Sequence, residues 1–284
     1  MPELPEVFTI TTDLNKHISG YTIESAKIVG GYKVIPGPKA FTQGLSGQLI
    51  TGVERIAKNI IINLASGNSL LVHLAMTGQV LLKESTAKEP RWTRVILKLT
   101  KGTDTKTLFL TDMRMFGKIA LINPTTLTKL RAKYGPDPIQ SIEPNPVEEF
   151  YLKVMQKKTS IKNALLDQTI ISGVGNIYAT DALFLAGIHP LTPTTKLTQN
   201  TLSKLFDKIK LILQEGIKHR GSTLSDKMYV DIFGKEGSHQ NFFRIYGKTN
   251  CPNCNAKVQF SKINGRGTYF CLNCQPIGDQ LGLF

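Results

Sequence analysis

Residues 251–274 read CPNCNAKVQFSKINGRGTYFCLNC, and this stretch decides the architecture at the end of the chain. It holds all four cysteines of the 284-residue chain, arranged as two C-x2-C pairs. Four thiolates bind Zn²⁺ tetrahedrally at about 2.3 Å, and this spacing is typical of a zinc ribbon, in which a hairpin joins the pairs. Asn255 follows the first pair and suits the left-handed backbone that such a turn needs. Two disulfides or four unrelated thiols are the alternatives. The predicted ligands of one structural zinc ion are Cys251, Cys254, Cys271 and Cys274.

The chain is strongly basic. It has 35 Lys and Arg against 21 Asp and Glu, a formal net charge of +14. Solubility needs only about 2–8 charges on a small domain, so the excess indicates a polyanionic partner, most simply nucleic acid. An anionic membrane surface and a merely solvated basic face are the alternatives. Residues 237–278 contain no acidic residue, and their basic residues are Arg244, Lys248, Lys257, Lys262 and Arg266.

Composition narrows the class of protein. Hydrophobic residues make up 41% and charged residues 20% of the chain, which is typical of a globular protein. No apolar run approaches the roughly 18 residues of a membrane span. The N-terminal MPELPEV lacks the pattern of a signal peptide. Composition therefore rules out a secreted, membrane-spanning or disordered protein, and we expect a cytoplasmic protein with no membrane partner.

The first half of the chain has β character after an initial helix. Val7, Ile10, Leu14 and Ile18 share one face of a helix predicted over 5–19. Short β-branched segments with turn residues between them then predict a sandwich or barrel. The predicted strands are Tyr21–Ile28, Leu49–Arg55, Asn59–Ala65, Ser69–Ala75, Arg94–Thr100, Thr107–Thr111 and Lys118–Ile122.

The second half is predicted to be helical. Its pattern changes near Gly135, and residues 139–150, with two prolines, have the composition of a linker. The longest helix has an apolar stripe, with Thr198 as its N-cap and Gly221 as its stop. The predicted helices are Val147–Met155, Ile161–Asp167, Asn176–Ala186 and Thr198–His219.

Met1-Pro2-Glu3 could carry chemistry. Removal of Met1 before a small residue leaves Pro2 as a free secondary amine. The reference pKa of an α-amino group is about 7.7–8.0 against 10.4 for lysine, so a terminal amine is far more often unprotonated. Such an amine can attack a sugar C1′ and form a Schiff base, while Glu3 donates or accepts a proton. Without further context, Pro2 is better interpreted as a simple chain end.

A phosphate site is predicted where two helices begin. Exposed backbone N–H groups and the helix dipole favour an anion at such positions, although a tight inter-helix turn explains the same glycines. The residues are Lys157, Lys158, Lys162, Gly173, Gly175 and Asn176.

Six motifs occur in order: PELPEV at 2–7, HLAMTG at 73–78, DMRMFG at 112–117, QKKTSIKNALLDQ at 156–168, GVGNIYATDALFLAGIHP at 173–190 and GRGTYFCLNCQ at 265–275. Together they resemble the formamidopyrimidine-DNA glycosylase family from Pro2 to Gln275. The resemblance implies a monomeric base-excision-repair enzyme that removes oxidised purines (8-oxoguanine and formamidopyrimidines) from duplex DNA and then nicks the strand by β,δ-elimination. It implies an α+β fold: an N-terminal β-sandwich with a flanking helix (1–135), a helix–two-turn–helix domain (136–235) and a zinc-ribbon hairpin (236–284).

The resemblance also implies residue roles. Pro2 matches the nucleophile and Glu3 its essential acid. Lys58, in RIAKNI, matches a lysine that transfers protons during β-elimination, although alone it would be an ordinary exposed strand lysine. Arg266 matches an arginine that contacts phosphate and assists δ-elimination. The zinc would be structural, because four protein ligands leave no open position.

Three side chains match those that fill the space of an everted base. Phe116 would wedge the opposite strand, and Arg114 would read the orphaned base and favour cytosine. Met76 completes the set, with core packing as the alternative for Met76 and Phe116. An inserted wedge recovers part of the stacking energy lost on eversion. Tyr246 and Lys248 match the family's segment that enters the zinc finger, and we expect both side chains to face DNA.

The chain departs from the family pattern in four places. Ala75 stands where glycine is common, and Asp181 replaces the commoner glutamate. Residues 90–94 read PRWTR where many members carry DNA-contacting histidines, so Trp92 and Arg94 are expected to touch phosphate without inheriting that histidine role. The loop 221–237 diverges, which leaves lesion preference open.

Two alternatives to this function are kept. An endonuclease VIII-type glycosylase would prefer oxidised pyrimidines, but that branch usually begins PEGPE, and Leu4 stands here. A non-catalytic zinc-ribbon DNA-binding protein would not need Pro2 and Glu3.

Overall fold

The structure is a computed structural model, and it describes residues 1–140 and 144–277. The described chain forms two compact units, Met1–Ala132 with Ile217–Gln240, and Lys133–Gly216 with the residues from Asn241 onward. Within the described ranges, no helix combines the length and apolar character required to cross a bilayer. The division into three domains at 135 and 235 stays a prediction, and residues 278–284 of the third lie outside the described residues.

Two sheets form the body of the first unit. A four-stranded sheet has the order β1-β7-β8-β6, and a five-stranded sheet has the order β2-β9-β5-β4-β3. All neighbouring strands are antiparallel except β2 and β9. The strands are β1 Thr22–Ile28, β2 Val34–Ile35, β3 Ile50–Ile56, β4 Asn59–Leu64, β5 Ser69–His73, β6 Gly78–Glu84, β7 Thr93–Lys101, β8 Asp104–Asp112 and β9 Lys118–Ile122.

One apolar core joins both sheets and the first helix, α1 (Leu4–Ile18). Ile60 and Val72 enter it from the five-stranded sheet, and Leu97 and Leu110 from the other. The predicted apolar face of α1 is fully buried in the same core. The α+β class and the sandwich are therefore confirmed.

Four elements of this unit were not predicted: β2, β6, α2 (Pro38–Leu45) and α3 (Pro124–Lys133). Helix α3 buries no residue, so it has no apolar periodicity to reveal it. Helix α2 buries only Phe41 and Leu45. Strand β6 begins at Gly78, where a Cβ would lie 2.5 Å from the Leu74 carbonyl oxygen, so glycine marks a close backbone approach.

The helices of the second unit confirm most predicted segments. They are α4 (Pro146–Met155), α5 (Ile161–Leu166), α6 (Asn176–Leu185) and α7 (Gln199–Lys218). The linker predicted over 139–150 is wrong at its end, because the Asn145 side chain caps α4 by accepting from the Glu148 N–H. Proline at the first helical position loses no hydrogen bond there. Residues 141–143 of that linker lie outside the described residues.

The cysteine-bearing segment contains the predicted hairpin, β10 (Gln259–Ile263) paired with β11 (Arg266–Phe270). Asn264 and Gly265 form its turn with φ of 48° and 72°, the two left-handed residues of a type I′ turn. Asn255 has φ 59°, as predicted.

Candidate functional site

The N-terminus is held rigidly at the start of α1. Pro2 and Glu3 are buried, whereas Met1 is 47% exposed. Glu3 and Glu6 form a capping box, in which the Glu3 N–H donates to Glu6 Oε2 at 2.8 Å. This reciprocal cap satisfies the first backbone donors of the helix and fixes Glu3.

Glu6 also connects the terminus to the loop 221–237. Its Oε1 accepts from the Ser222 N–H at 2.7 Å. Gly221 has φ 80°, and a Cβ there would lie 2.8 Å from Glu6 Cγ, so the approach requires glycine. The loop is further anchored where Tyr229 and Ile232 enter the main core.

Lys58 is buried, at 7% exposure, in the turn between β3 and β4. This differs from the exposed strand lysine that a local interpretation favours. Burial lowers the pKa of the neighbouring His73, and the positive charge of Lys58 lowers it further. Lys58 is therefore a buried amine whose charge acts on a neighbouring titratable side chain. Buried groups of this kind are candidates for chemical roles.

The predicted trio Met76, Arg114 and Phe116 gathers on one exposed surface. The Arg114 guanidinium lies 4.9 Å from the Phe116 ring centre, and its Nη1 lies 3.8 Å from Met76 Sδ. Met76 is 43% and Phe116 60% exposed, so core packing is excluded for both. Ala75 has φ 49°, which explains why glycine suits that position.

The residues that stand where many family members carry histidines form a stacked group. Trp92 is 41% exposed, and the Arg91 guanidinium lies 4.4 Å from its ring centre. Arg94 Nε donates to the Asp112 carbonyl oxygen at 2.8 Å. Trp92 has φ 64°, an unusual conformation for a large side chain.

The predicted phosphate site is only partly exposed. Lys157 and Lys158 are exposed, and Lys157 pairs with Asp167 at 3.3 Å. Lys162 is 0% exposed, and its Nζ donates to the Asn176 carbonyl oxygen at 2.9 Å and to the Thr180 hydroxyl. We therefore revise the role of Lys162 from a phosphate contact to a clamp between α5 and α6, since its buried ammonium is already hydrogen-bonded.

The glycines of this segment adopt the geometry of a helix start. Gly173 has φ 80°, and Gly175 is the N-cap of α6. Asn176 Nδ2 donates to the Gly267 carbonyl oxygen at 2.9 Å and so attaches α6 to the hairpin. Arg266, next to that contact, is exposed at the start of β11.

The four cysteine Sγ atoms lie within 4.8 Å of one another. Two of the separations are 3.7 Å (Cys251 to Cys274) and 3.5 Å (Cys254 to Cys271). A tetrahedral zinc with bonds of about 2.3 Å places its sulfurs about 3.7 Å apart, whereas a disulfide needs about 2.05 Å. The thiols therefore fit a metal ion, and the disulfide alternative is excluded.

Sequence reasoning missed the role of Asp181. Its buried carboxylate accepts from three consecutive backbone N–H groups at 2.8–3.0 Å, and burial raises its pKa. Tyr246, the last of these donors, is half-buried against Tyr269, and Lys248 is exposed two residues later. Only the substitution of glutamate by Asp181 drew attention to this position, and it did not reveal the contacts. The donors are Arg244, Ile245 and Tyr246.

Two family models match successive parts of the chain. Residues 1–119 match the formamidopyrimidine-DNA glycosylase N-terminal domain, and residues 134–228 match the H2TH domain of the same enzymes. The formamidopyrimidine-DNA glycosylase of Chloroflexus aurantiacus is 36% identical over 279 residues, which is 97% of this chain and 98% of that protein.

Solved structures of proteins from the same family have a similar fold. The Lactococcus lactis enzyme in complex with Fapy-dG-containing DNA is 34% identical with a TM-score of 0.85. A MutM complex with carbocyclic 8-oxo-G-containing DNA is 33% identical with a TM-score of 0.86. Each comparison covers 97% of this chain and 100% of the other.

The fold and its buried terminus, basic hairpin and thiol cluster are those of a DNA glycosylase. Within that class, the chain belongs to the formamidopyrimidine-DNA glycosylase family.

Proposed function

We propose that this chain is a bifunctional glycosylase and AP lyase that removes oxidised purines from duplex DNA. The observation that carries the proposal is the terminus itself: Pro2 and Glu3 are buried, and the capping box with Glu6 fixes Glu3 directly after Pro2.

The mechanism begins after Met1 is removed. The Pro2 nitrogen lone pair attacks C1′ of the damaged nucleotide, and the glycosidic C–N bond breaks, with its electron pair leaving on the base. The departing base takes up a proton, for which Glu3 is the adjacent acid. The Pro2 nitrogen then loses its proton, and the C1′–O4′ bond breaks with its electron pair leaving on O4′, which takes up a proton. The product is an open-chain iminium ion between Pro2 and the deoxyribose, the usual intermediate of amine nucleophiles.

The lyase steps follow from that iminium. Removal of a C2′ proton lets the C3′–O bond break with its electrons leaving on the 3′ phosphate. Removal of a C4′ proton then lets the C5′–O bond break, and the 5′ phosphate leaves with that electron pair. The buried amine of Lys58 is our candidate for the proton transfers. Arg266, exposed on the hairpin, is suited to holding a departing phosphate.

The wedge and the metal complete the proposal. The exposed trio Met76, Arg114 and Phe116 would occupy the place of the everted base, and guanidinium donors facing cytosine acceptors would favour a C opposite the lesion. The thiols would hold one structural Zn²⁺. The exposed Trp92, Lys157, Lys158 and Lys248 would contact the backbone of chromosomal DNA, on which the enzyme acts as a monomer.

Oxidised purines are our first choice of substrate, since similar proteins were solved with Fapy-dG and with 8-oxo-G DNA. A similar protein was also solved with DNA that contains an oxidised pyrimidine, so the test compares both lesion classes. The test is borohydride trapping on defined duplexes. An adduct that maps to Pro2, stronger with 8-oxoguanine than with oxidised thymine, is expected. A preference for oxidised thymine would favour the endonuclease VIII type, and binding without any adduct would favour a non-catalytic module.

A further inference from the structure

Three loops of the first unit carry the exposed side chains assigned to DNA. The loop 74–77 carries Met76, the turn 90–92 carries Trp92, and the loop 113–117 carries Arg114 and Phe116. They lie far apart in sequence, but all three are hydrogen-bonded, directly or through one hydroxyl, to one residue. That residue is Asp112, the last of β8, which is 3% exposed.

The Asp112 carboxylate joins two of the loops. Oδ1 accepts from the Thr77 hydroxyl at 2.6 Å, and Oδ2 accepts from the Gly117 N–H at 2.8 Å. The Thr77 hydroxyl in turn accepts from the Arg114 N–H at 3.0 Å. A Cβ on Gly117 would lie 2.9 Å from the His73 carbonyl oxygen, so glycine is needed for this approach.

The Asp112 backbone joins the third loop. Its N–H donates to the Trp92 carbonyl oxygen at 2.9 Å, and its own carbonyl oxygen accepts from Arg94 Nε at 2.8 Å. One buried residue therefore reaches two loops with its carboxylate and the third with its N–H, while its carbonyl oxygen holds Arg94 at the start of β7.

Each of these loops contains one non-glycine residue in the left-handed region. The φ values are 49° for Ala75, 64° for Trp92 and 56° for Met115. Such conformations persist only where the surroundings enforce them, and they cluster at functional sites. Hydrogen bonds to a buried charged acceptor are among the stronger ones available to enforce them.

We propose that Asp112, acting with Thr77, is a positioning residue that holds the three loops as one preorganised wedge. This inference rests on the proposed function. A wedge that is already ordered can fill the vacated stack as the base leaves, whereas a loose one must be ordered during eversion. The network should therefore set the rate of base eversion and leave the chemistry at Pro2 untouched.

The test compares Thr77→Val with Thr77→Ser in the full-length enzyme. Valine keeps the shape but removes the hydroxyl bridge, and serine restores it. Single-turnover excision of 8-oxoguanine opposite cytosine should fall by about 10- to 100-fold in Thr77→Val and recover in Thr77→Ser. Nicking of a duplex with a preformed abasic site, which has no base to evert, should change by less than about threefold. A fluorescent base analogue opposite the lesion should report slower wedge insertion.

Asp112→Asn provides a second variant, because asparagine keeps one accepting oxygen and replaces the other with an NH₂ group, which donates and cannot accept, so only one of the two loops keeps its acceptor. The matched control is Asp104→Asn at the other end of β8, where the carboxylate accepts from the Tyr21 hydroxyl. The control should match wild type in both assays. Equal losses of excision and abasic nicking, or no loss in Thr77→Val, would overturn the positioning role. A wild-type enzyme that forms no adduct would instead overturn the proposed function.

Discussion

The N-terminal site and the cysteine hairpin fix their functional residues by different means. Pro2 and Glu3 directly precede α1, whose apolar face lies in the large core of the first unit. The core cluster at the hairpin comprises Phe184, Ile245, Cys251, Val258 and Cys271, two of which are themselves ligand cysteines. This cluster is small, and a metal ion held by the four thiols would add the order that so small a core does not supply. We therefore expect the terminus to depend on packing and Arg266 to depend on chelation.

Removal of the metal should have the largest effect, because it should unfold the hairpin and leave the first unit folded. Structural zinc contributes about 10–16 kcal/mol to the folding of small zinc domains. Cys254→Ser, or a strong chelator, should abolish zinc content, amide protection of the hairpin and strand nicking, while the sheets of the first unit stay folded. Mass spectrometry of the metal and hydrogen exchange measure these outcomes. Ser261→Ala, on the same hairpin, is the control. Persistent hairpin protection without metal would contradict the contrast.

Retention of Met1 should have the next largest effect. The amide that replaces the Pro2 amine has no nucleophilic lone pair, so adduct formation and nicking should fall by at least about a thousandfold. Affinity for lesion DNA and thermal stability should remain, since the core is unchanged. The comparison is between processed and unprocessed protein, each verified by intact mass. Robust nicking by the Met1 form would refute the amine mechanism.

Arg266→Ala tests whether chelation positions this side chain or only stabilises the fold. We expect product release by δ-elimination to slow by about 10- to 100-fold, as when a positioned charge donor is removed, with zinc content unchanged. Lys262→Ala removes the same charge from the other strand of the hairpin. It should alter only the salt dependence of binding, by about one phosphate. Zinc loss in Arg266→Ala would instead make the residue structural.

The smallest expected effect concerns pH. Burial and the charge of Lys58 lower the pKa of His73 in the folded state. The unfolded chain therefore binds this proton more readily, and the stability that His73 contributes is complete above pH about 6.5 and is lost as pH falls through its folded pKa. His73→Gln should flatten that acid-side slope in chemical unfolding. Lys58→Met should raise the pKa of His73 in an NMR titration, and an unchanged pKa would contradict the electrostatic coupling.

Sequence reasoning succeeded for features that depend on the spacing of residues close together in the chain. The cysteine pairs, the apolar face of α1 and Asn255 each follow from a repeat or a turn within a few residues. It missed α3, which buries nothing, and β6, which pairs with β8 only after β7 has intervened in the chain. Local patterns do not record contacts that arise only when strands pair.

The chain by itself determined the thiol set, the helical and β halves and the terminal Pro-Glu, because each rests on residue types at short fixed separations. Only the tertiary structure decided that Lys58 and Lys162 are buried. It also brought Asp112 to three loops and Asp181 to a segment about 60 residues away. The reason is physical: desolvation and hydrogen-bond partnership are properties of an enclosed position, and an enclosed position exists only after distant segments have packed together.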